Sequence, residues 1–513
     1  MVWLYILTKK CEMHFSRMYF CQTTRNRTKL QAKRKESFAI KVYARFFLGY
    51  DTLRLKYYGG YMQSFAAYFE KNRQAIESDY LKLLSFRSIS ADPEFQNESR
   101  ACAKWLADRL EKLGATTQLW REKNPSVFAS LRSPREHAPT LLIYTHYDVQ
   151  PVDPIEEWKS PPFEPKIVDG VVVARGAVDN KGPCIIALYA VEALIADGLP
   201  CHIKFLIDGA EESGSKGLFQ ELPQKKEEVA ADYTMVIDLG MKDRTTPAVT
   251  LGCRGIFSMT VTLTGPKEDL HSGAMGGLAY NPLHGLVKIL ASLHDEKGAV
   301  CIPHFYDEVR TLSKEEKTTL DLSFDEKAFI ALTGQPVVGG ELEYPPIERN
   351  WLRPTLEING IHGGYGGPGG KTVIPREAVA KISCRLVPDQ EPSVIAKRVA
   401  DFLRKQTVPG THIDVVINEP GGPAVRVPVS KGIKALEKAM KMVWKNEPCR
   451  VLEGASIPVM PLLGKMSGGE LIPWGLGLET DHVHSPNEQF DMQRLKEGMM
   501  TLCQTIAFLG ESE

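Results

Sequence analysis

Strand-length apolar runs alternate with helical segments from residue 140 to residue 237, and this alternation constrains the fold more than any other feature of the chain. Residues 140–145, 170–174, 203–207 and 233–237 read as strands, and a helix over about 182–196 stops at Gly198. Strands that are apolar along their whole length, rather than at alternate residues, need cover on both faces. Separated by helices, they imply an α/β fold on a mostly parallel sheet. Two helices precede them, one from Phe65 through Leu83 and Leu84, the other over about 98–113 with Gly114 as its stop.

The pattern changes at Gly252. Residues 255–263 alternate, and Asn281 and Pro282 supply an N-cap and a first helical position for a helix to about Leu293. Residues 354–359 and 372–386 read as strands, 392–405 as a helix and 412–418 as a strand, which makes a compact α+β, ferredoxin-like insert. After Val429 the first pattern returns, with a helix to about Lys445, a strand near Val459 and a final helix from Gln493. At 513 residues the chain exceeds one ordinary core. The expected organisation is a catalytic domain over 62–252 and 426–513, interrupted by an insert over 253–425.

Residues 1–61 form a basic extension, with about 13 Lys and Arg against Glu12, Glu36 and Asp51 over residues 1–60. It is expected to be disordered, and Met62, just before the first amphipathic helix, is the expected start of the working protein. The formal net charge of zero gives no reason to expect nucleic acid or a membrane surface as a partner. Ten cysteines are scattered singly with no C-x-x-C pair, which points to a reducing, cytoplasmic setting and away from a thiolate metal site.

Side chains suited to divalent cations stand where the strands end. They are His146-Tyr147-Asp148, Asp179-Asn180, Glu211-Glu212, Asp238 and, far downstream, His482-Val483-His484. Strand ends line the ligand crevice of an open α/β sheet, and mixed imidazole and carboxylate ligation suits paired divalent ions. His146 and Asp148 point the same way on an extended segment, so Asp148 can accept the ring's other N–H. Asp179 can give one oxygen to each of two cations, although taken alone a helix cap is the favoured reading. Adjacent Glu211 and Glu212 repel each other unless one meets a cation while the other handles a proton. Spacing does not choose between His482 and His484.

With these residues in this order, the chain resembles the dinuclear metallopeptidases that include carnosine and Cys-Gly dipeptidases, aminoacylase, bacterial glutamate carboxypeptidase and succinyl-diaminopimelate desuccinylase. The likeness runs from about residue 65 to the C-terminus and is nearest to the dipeptidase branch. It rests on HYDVQP (146–151), GAVDNKG (176–182), GAEESGS (209–215), DLHSGAMGG (269–277), KTVIP (371–375), RLVPDQ (385–390) and HSPNE (484–488). The resemblance implies His146, Glu212, Asp238 and His484 as metal ligands, with Asp179 bridging two divalent ions; His484 is chosen because it precedes Ser485-Pro486-Asn487-Glu488. Zinc suits such a site, with manganese or cobalt as alternatives. Glu211 would be the general base, Asp148 the orienter of His146, and the Asp179–Asn180 bond cis.

The insert would be a lid and dimerisation domain that sends His271 into the partner's site of a homodimer, to hold the oxyanion. Thr372, Arg385 and Ser456 would bind substrate, with Arg385 gripping a terminal carboxylate. The implied activity is exopeptidase hydrolysis of dipeptides or short peptides, and the runner-up is N-acyl-amino-acid amide hydrolysis or desuccinylation. Other chemistries fit poorly. Gly370-Lys371-Thr372 is not a phosphate loop, because Tyr365 stands where its first glycine belongs, and no G-x-S-x-G elbow surrounds Ser213, Ser456 or Ser467.

Overall fold

The computed structural model describes residues 64–406 and 408–511, with only the backbone at 419 and 420; the expectations for residues 1–61 lie outside the described residues. The central sheet has six strands in the order Thr116–Trp120, Ser126–Leu131, His202–Asp208, Thr140–His146, Tyr233–Gly240 and Glu470–Gly477. The last four run parallel to one another, and the first two join antiparallel at one side. The expected mostly parallel α/β sheet is therefore present. The first two strands, unanticipated from the sequence, extend it by a hairpin.

Chain order explains why ligands collect at one edge. From Thr140–His146 the chain crosses to His202–Asp208 on one side, then returns to Tyr233–Gly240 on the other. Reversal of direction about a strand opens a crevice beyond its carboxyl end, and His146 is the last residue of that strand. Helix Gly182–Ile195 forms the first crossover and is buried nearly all round, as its sequence, apolar but for Glu192 and the Tyr189 hydroxyl, requires. Helix Met492–Leu509 packs against it and against Lys431–Val443. Gly498 allows that approach, since a Cβ there would sit 2.5 Å from Leu476 and 2.9 Å from Ile186.

The segment expected as an α+β insert forms a second, four-stranded antiparallel sheet, ordered Thr355–Gly363, Glu377–Leu386, Gly255–Thr264 and His412–Gly422. With helices Pro282–Ala291 and Pro392–Arg404 the chain order is βαββαβ, the ferredoxin-like arrangement. Alternate residues Phe257, Met259, Val261 and Leu263 face a core completed by Leu286, Leu290, Ile395, Val399 and Leu403.

Four readings of the sequence need correction. Val171–Val173 does not enter the central sheet; it pairs with Ile167–Val168 and Gln489–Asp491 in a small antiparallel sheet. A run this short is apolar enough for either sheet, and periodicity cannot assign it. The strand expected near Val459 is helix Val459–Ser467, and the strands flank it at Cys449–Glu453 and Glu470–Gly477. The strand expected over 372–386 breaks into Val373–Ile374 and Glu377–Leu386 around Pro375, which has no N–H to give a ladder. Short helices Lys314–Thr318, Glu326–Thr333 and Pro346–Trp351 occupy a stretch for which no elements were expected.

Candidate active site

His146 lies at the mouth of the crevice, almost fully buried. Its Nδ1 faces two acceptors of Asp148, the backbone oxygen at 3.2 Å and Oδ1 at 3.4 Å. In the neutral ring the proton therefore belongs on Nδ1, leaving the Nε2 lone pair for the opposite side. There Nε2 stands 3.0 Å from Asp179 Oδ1 and 3.3 Å from Asp238 Oδ1. Asp179 turns its second oxygen away, to 2.9 Å from His484 Nε2, and that nitrogen is 3.2 Å from Glu212 Oε2.

Two groups of ligand atoms result, His146 with Glu211 and Asp238, and Asp179 with Glu212 and His484, each within 4.8 Å of one another. Donors about 2.0–2.1 Å from a tetrahedral ion are about 3.3 Å apart, close to the spacings around both imidazoles. The residues present therefore fit a pair of divalent ions, with Asp179 placed to reach both. Glu211 stands near enough to His146 and Asp238 to ligate as well as to accept a proton.

Local structure explains the convergence. Asp179 follows a turn entered through Gly176, whose φ of 84° is left-handed and whose Cβ would lie 2.6 Å from Val149. The Asp179–Asn180 bond is cis, as expected. Asn180 donates through Nδ2 to Asp238 Oδ1 and to the Ile237 carbonyl, each at 2.7 Å, fixing Asp238 at the end of the neighbouring strand. Asp148 accepts the backbone N–H of Glu211 at 3.0 Å and of Glu212 at 3.1 Å, so it sets the acidic turn as well as facing His146. Gln150 donates to Glu212 Oε2 at 2.7 Å. Asp208, wholly buried, anchors the start of the same turn through the Ser126 and Ser215 hydroxyls and Arg121.

The electrostatics are those of a cluster built for positive charge. Burial disfavours a protonated His146, but the charge of Asp238 and bonds to Asp148, Asp179 and Asp238 override it and hold the ring well above the usual imidazole range. Contacts with Asp179 and Glu212 push His484 up to about 10. Burial raises Glu211 well above the carboxylate range, reinforced by Asp238, Glu212 and Asp148. Burial and the Asp179 charge bring Glu212 to about 7. Burial likewise raises Asp238 despite His146, whereas at Asp179 two imidazoles outweigh burial and hold the carboxyl below its ordinary value. Cations bound among these groups would neutralise the same charges in place of protons.

The other expected residues fall elsewhere. Arg385 donates to Ser456 Oγ at 2.8 Å, joining the second sheet to the loop after Cys449–Glu453. His271 and Thr372 lie on a separate exposed ribbon, where His271 pairs with Val373 and Ser272 N donates to the Thr372 carbonyl at 3.0 Å. Among the described residues no hydrogen bond or ion pair links His271 or His482 to the acidic cluster; the His271 ring instead accepts from Gly273 and Ala274. Sequence reasoning gave no role to Gln150, Arg175, Asp208 or Glu488. Gln150 and Glu488 stood inside quoted stretches, but nothing in a linear string shows where a polar side chain turns.

Residues 142–507 match the sequence pattern of Peptidase family M20/M25/M40. The Cys-Gly metallodipeptidase of Candida albicans is 30% identical over 459 residues, covering 84% of this chain and 94% of that one. The Beta-Ala-His dipeptidase of Homo sapiens is 31% identical over 456 residues, covering 83% and 86%. Among solved structures, the M20 family metallo-carboxypeptidase of Sulfolobus solfataricus superposes with a TM-score of 0.77 at 30% identity, over 85% of this chain and 99% of that one. A sheet edge bearing two His and carboxylate groups, carried on a chain alike along most of its length, leads to one assignment: the chain belongs to Peptidase family M20/M25/M40.

Proposed function

We propose that this chain is a two-metal exopeptidase that hydrolyses dipeptides or short peptides. The observation that carries the reading is Asp179, whose two oxygens face His146 and His484 separately, at 3.0 and 2.9 Å. In this reading His146, Asp238, Glu212 and His484 complete the ligand set, and Asp148 orients His146. Similarity to chains named Cys-Gly metallodipeptidase and Beta-Ala-His dipeptidase supports the substrate class.

A divalent pair, when bound, supplies Lewis acidity toward the scissile carbonyl and lowers the pKa of the attacking water. Zinc suits the ligand set best, with manganese or cobalt as alternatives. Glu211 takes the proton of the attacking water and gives it to the leaving amine, a role supported by its place beside His146 and Asp238. Arg385 and Ser456 grip the substrate's terminal carboxylate, which restricts cleavage to a free chain end.

Residues 253–425 act as lid and dimerisation domain, with 62–252 and 426–513 as the catalytic domain. Strand Thr355–Gly363 is an edge of its sheet and exposes Ile358 and Ile361, which supports pairing with a second copy. In the homodimer His271 of the partner subunit meets the oxyanion, and Thr372 joins Arg385 and Ser456 in binding substrate. Eight described cysteines are free, most of them buried, which supports a reducing, cytoplasmic setting. Among the described residues no helix is long and apolar enough to cross a membrane.

The test is a dipeptide library assayed on metal-stripped protein reconstituted with zinc, manganese or cobalt. Turnover of dipeptides with a free C-terminus is expected, while hydrolysis of N-acetyl or N-succinyl amino acids alone would overturn the dipeptidase reading.

A further inference from the structure

Glu488 is 1% exposed, and among the described residues its side chain hydrogen-bonds to the ligand set only through the backbone N–H of Asp179. Its Oε1 accepts the N–H groups of Val178 at 3.0 Å and Asp179 at 3.1 Å. Its Oε2 accepts the N–H of Gly176 at 2.8 Å and Arg175 Nη1 at 2.9 Å. Four donors thus converge on one carboxylate, across more than three hundred positions of sequence. Arg175, equally buried, also donates to the Pro151 carbonyl at 3.1 Å and lies over the Trp158 ring.

Backbone N–H groups turned into an interior require an acceptor, and an anion satisfies a converging set better than a neutral oxygen does. The turn gripped in this way is the one that carries Asp179. His484, four positions before Glu488, touches the Asp179 carboxylate itself. One short segment therefore holds the backbone of Asp179 through Glu488 and faces its side chain through His484. We infer that Glu488 is a positioning residue for the cation pair, clamping the 176–179 turn so that Asp179 directs one oxygen toward His146 and the other toward His484. The inference rests on the two-metal reading above.

Glu488→Gln tests it with almost no change in volume. An amide places an NH2 against donors on one side, so the clamp fails while the packing remains. Metal-stripped wild-type and variant proteins are titrated with Zn2+ against a chromophoric chelator, with far-UV circular dichroism as the check on folding. The wild type should take up two ions per chain. The folded variant should bind at least one of them about 10–100-fold more weakly. At saturating Zn2+ its kcat should fall, with KM for a dipeptide changed by less than about threefold, because Glu488 does not reach substrate.

A folded Glu488→Gln protein that bound two ions with wild-type affinity would overturn the inference and reduce Glu488 to a structural staple. Failure of the wild type to bind a pair is a distinct result, seen before any substitution, and would remove the metal reading and this inference together. Should Glu488→Gln not fold, Glu488→Asp keeps the charge and withdraws it by one methylene. Weakened Zn2+ uptake by that variant supports the clamp, and unchanged uptake overturns it.

Discussion

Asp179 Oδ2 lies 2.9 Å from His484 Nε2, and this contact joins the turn after Gly176 to the loop beyond strand Glu470–Gly477. Because Asp179 Oδ1 turns the other way to His146, one carboxylate couples both halves of the centre. Asp179→Asn should therefore do more than remove one ligand. An amide offers a single oxygen, so the variant is expected to retain at most one tightly bound ion, measured by elemental analysis after gel filtration. Retention of two ions at wild-type affinity would refute the bridging role.

Glu211→Gln separates proton transfer from metal binding. The variant should keep both ions and lose about 10²–10⁴-fold in kcat, the usual contribution of a positioned general base. Steady-state kinetics alongside metal counting decides the matter. Loss of an ion instead would make Glu211 a ligand in its group with His146 and Asp238.

Protonation and metal binding compete at this site, so the metal-free protein should lose thermal stability as pH rises. Glu212 is raised to about 7 and His484 to about 10 in the folded chain. A raised folded pKa contributes stability that is full below the unfolded value and is lost as pH climbs through the folded one. The affected window therefore runs from about 4.5 to about 7 for Glu212 and from about 6.5 to about 10 for His484. His146, Glu211 and Asp238 are raised too and act in the same direction, while Asp179, lowered, matters only toward acid. Melting temperatures of stripped protein should fall from pH 5 to pH 9, and reconstitution should flatten the profile. A stripped protein that gained stability over that range would contradict the assigned directions.

Arg385→Ala should raise KM for dipeptides by about 10–100-fold, the loss of a charge-assisted contact of about 1.5–3 kcal/mol. Dipeptide amides, which lack the carboxylate, provide the control. They should be poor substrates for the wild type and no worse for the variant. An equal loss on both substrates would assign Arg385 to the joint with Ser456 rather than to recognition.

The dimer can be tested by complementation. His271→Ala and Glu211→Gln chains should each be inactive, yet co-refolded mixtures should recover about a quarter of wild-type activity, since half the dimers are mixed and each has one complete site. No recovery, with mixed dimers demonstrated by mass spectrometry, would place His271 outside the partner's site.

Element types in the regular parts were legible from one-dimensional patterns, because the period of apolar residues follows directly from strand and helix geometry. Alternation over 255–263 announced a strand with one buried face, and Phe257 through Leu263 bury it. The same logic failed at Val459–Ser467, a helix where a strand was expected, and it could not tell that strand Val171–Val173 pairs outside the central sheet, since only packing makes those choices. The acidic and histidine clusters were visible as well, since carboxylates at strand ends are unusual enough to stand out in a string.

Chemical identity at each strand end was thus written in the chain itself: which ligand types occur, and that they follow apolar strands. Tertiary structure decided which of them meet. It brought His484 rather than His482 to Asp179, turned Asp148 onto the Glu211 and Glu212 amides, and seated Glu488 under the turn that bears Asp179. The physical reason is that spacing along a chain encodes local periodicity, whereas a shared site depends on strand order and on where buried N–H groups find acceptors, and both arise only when distant segments pack.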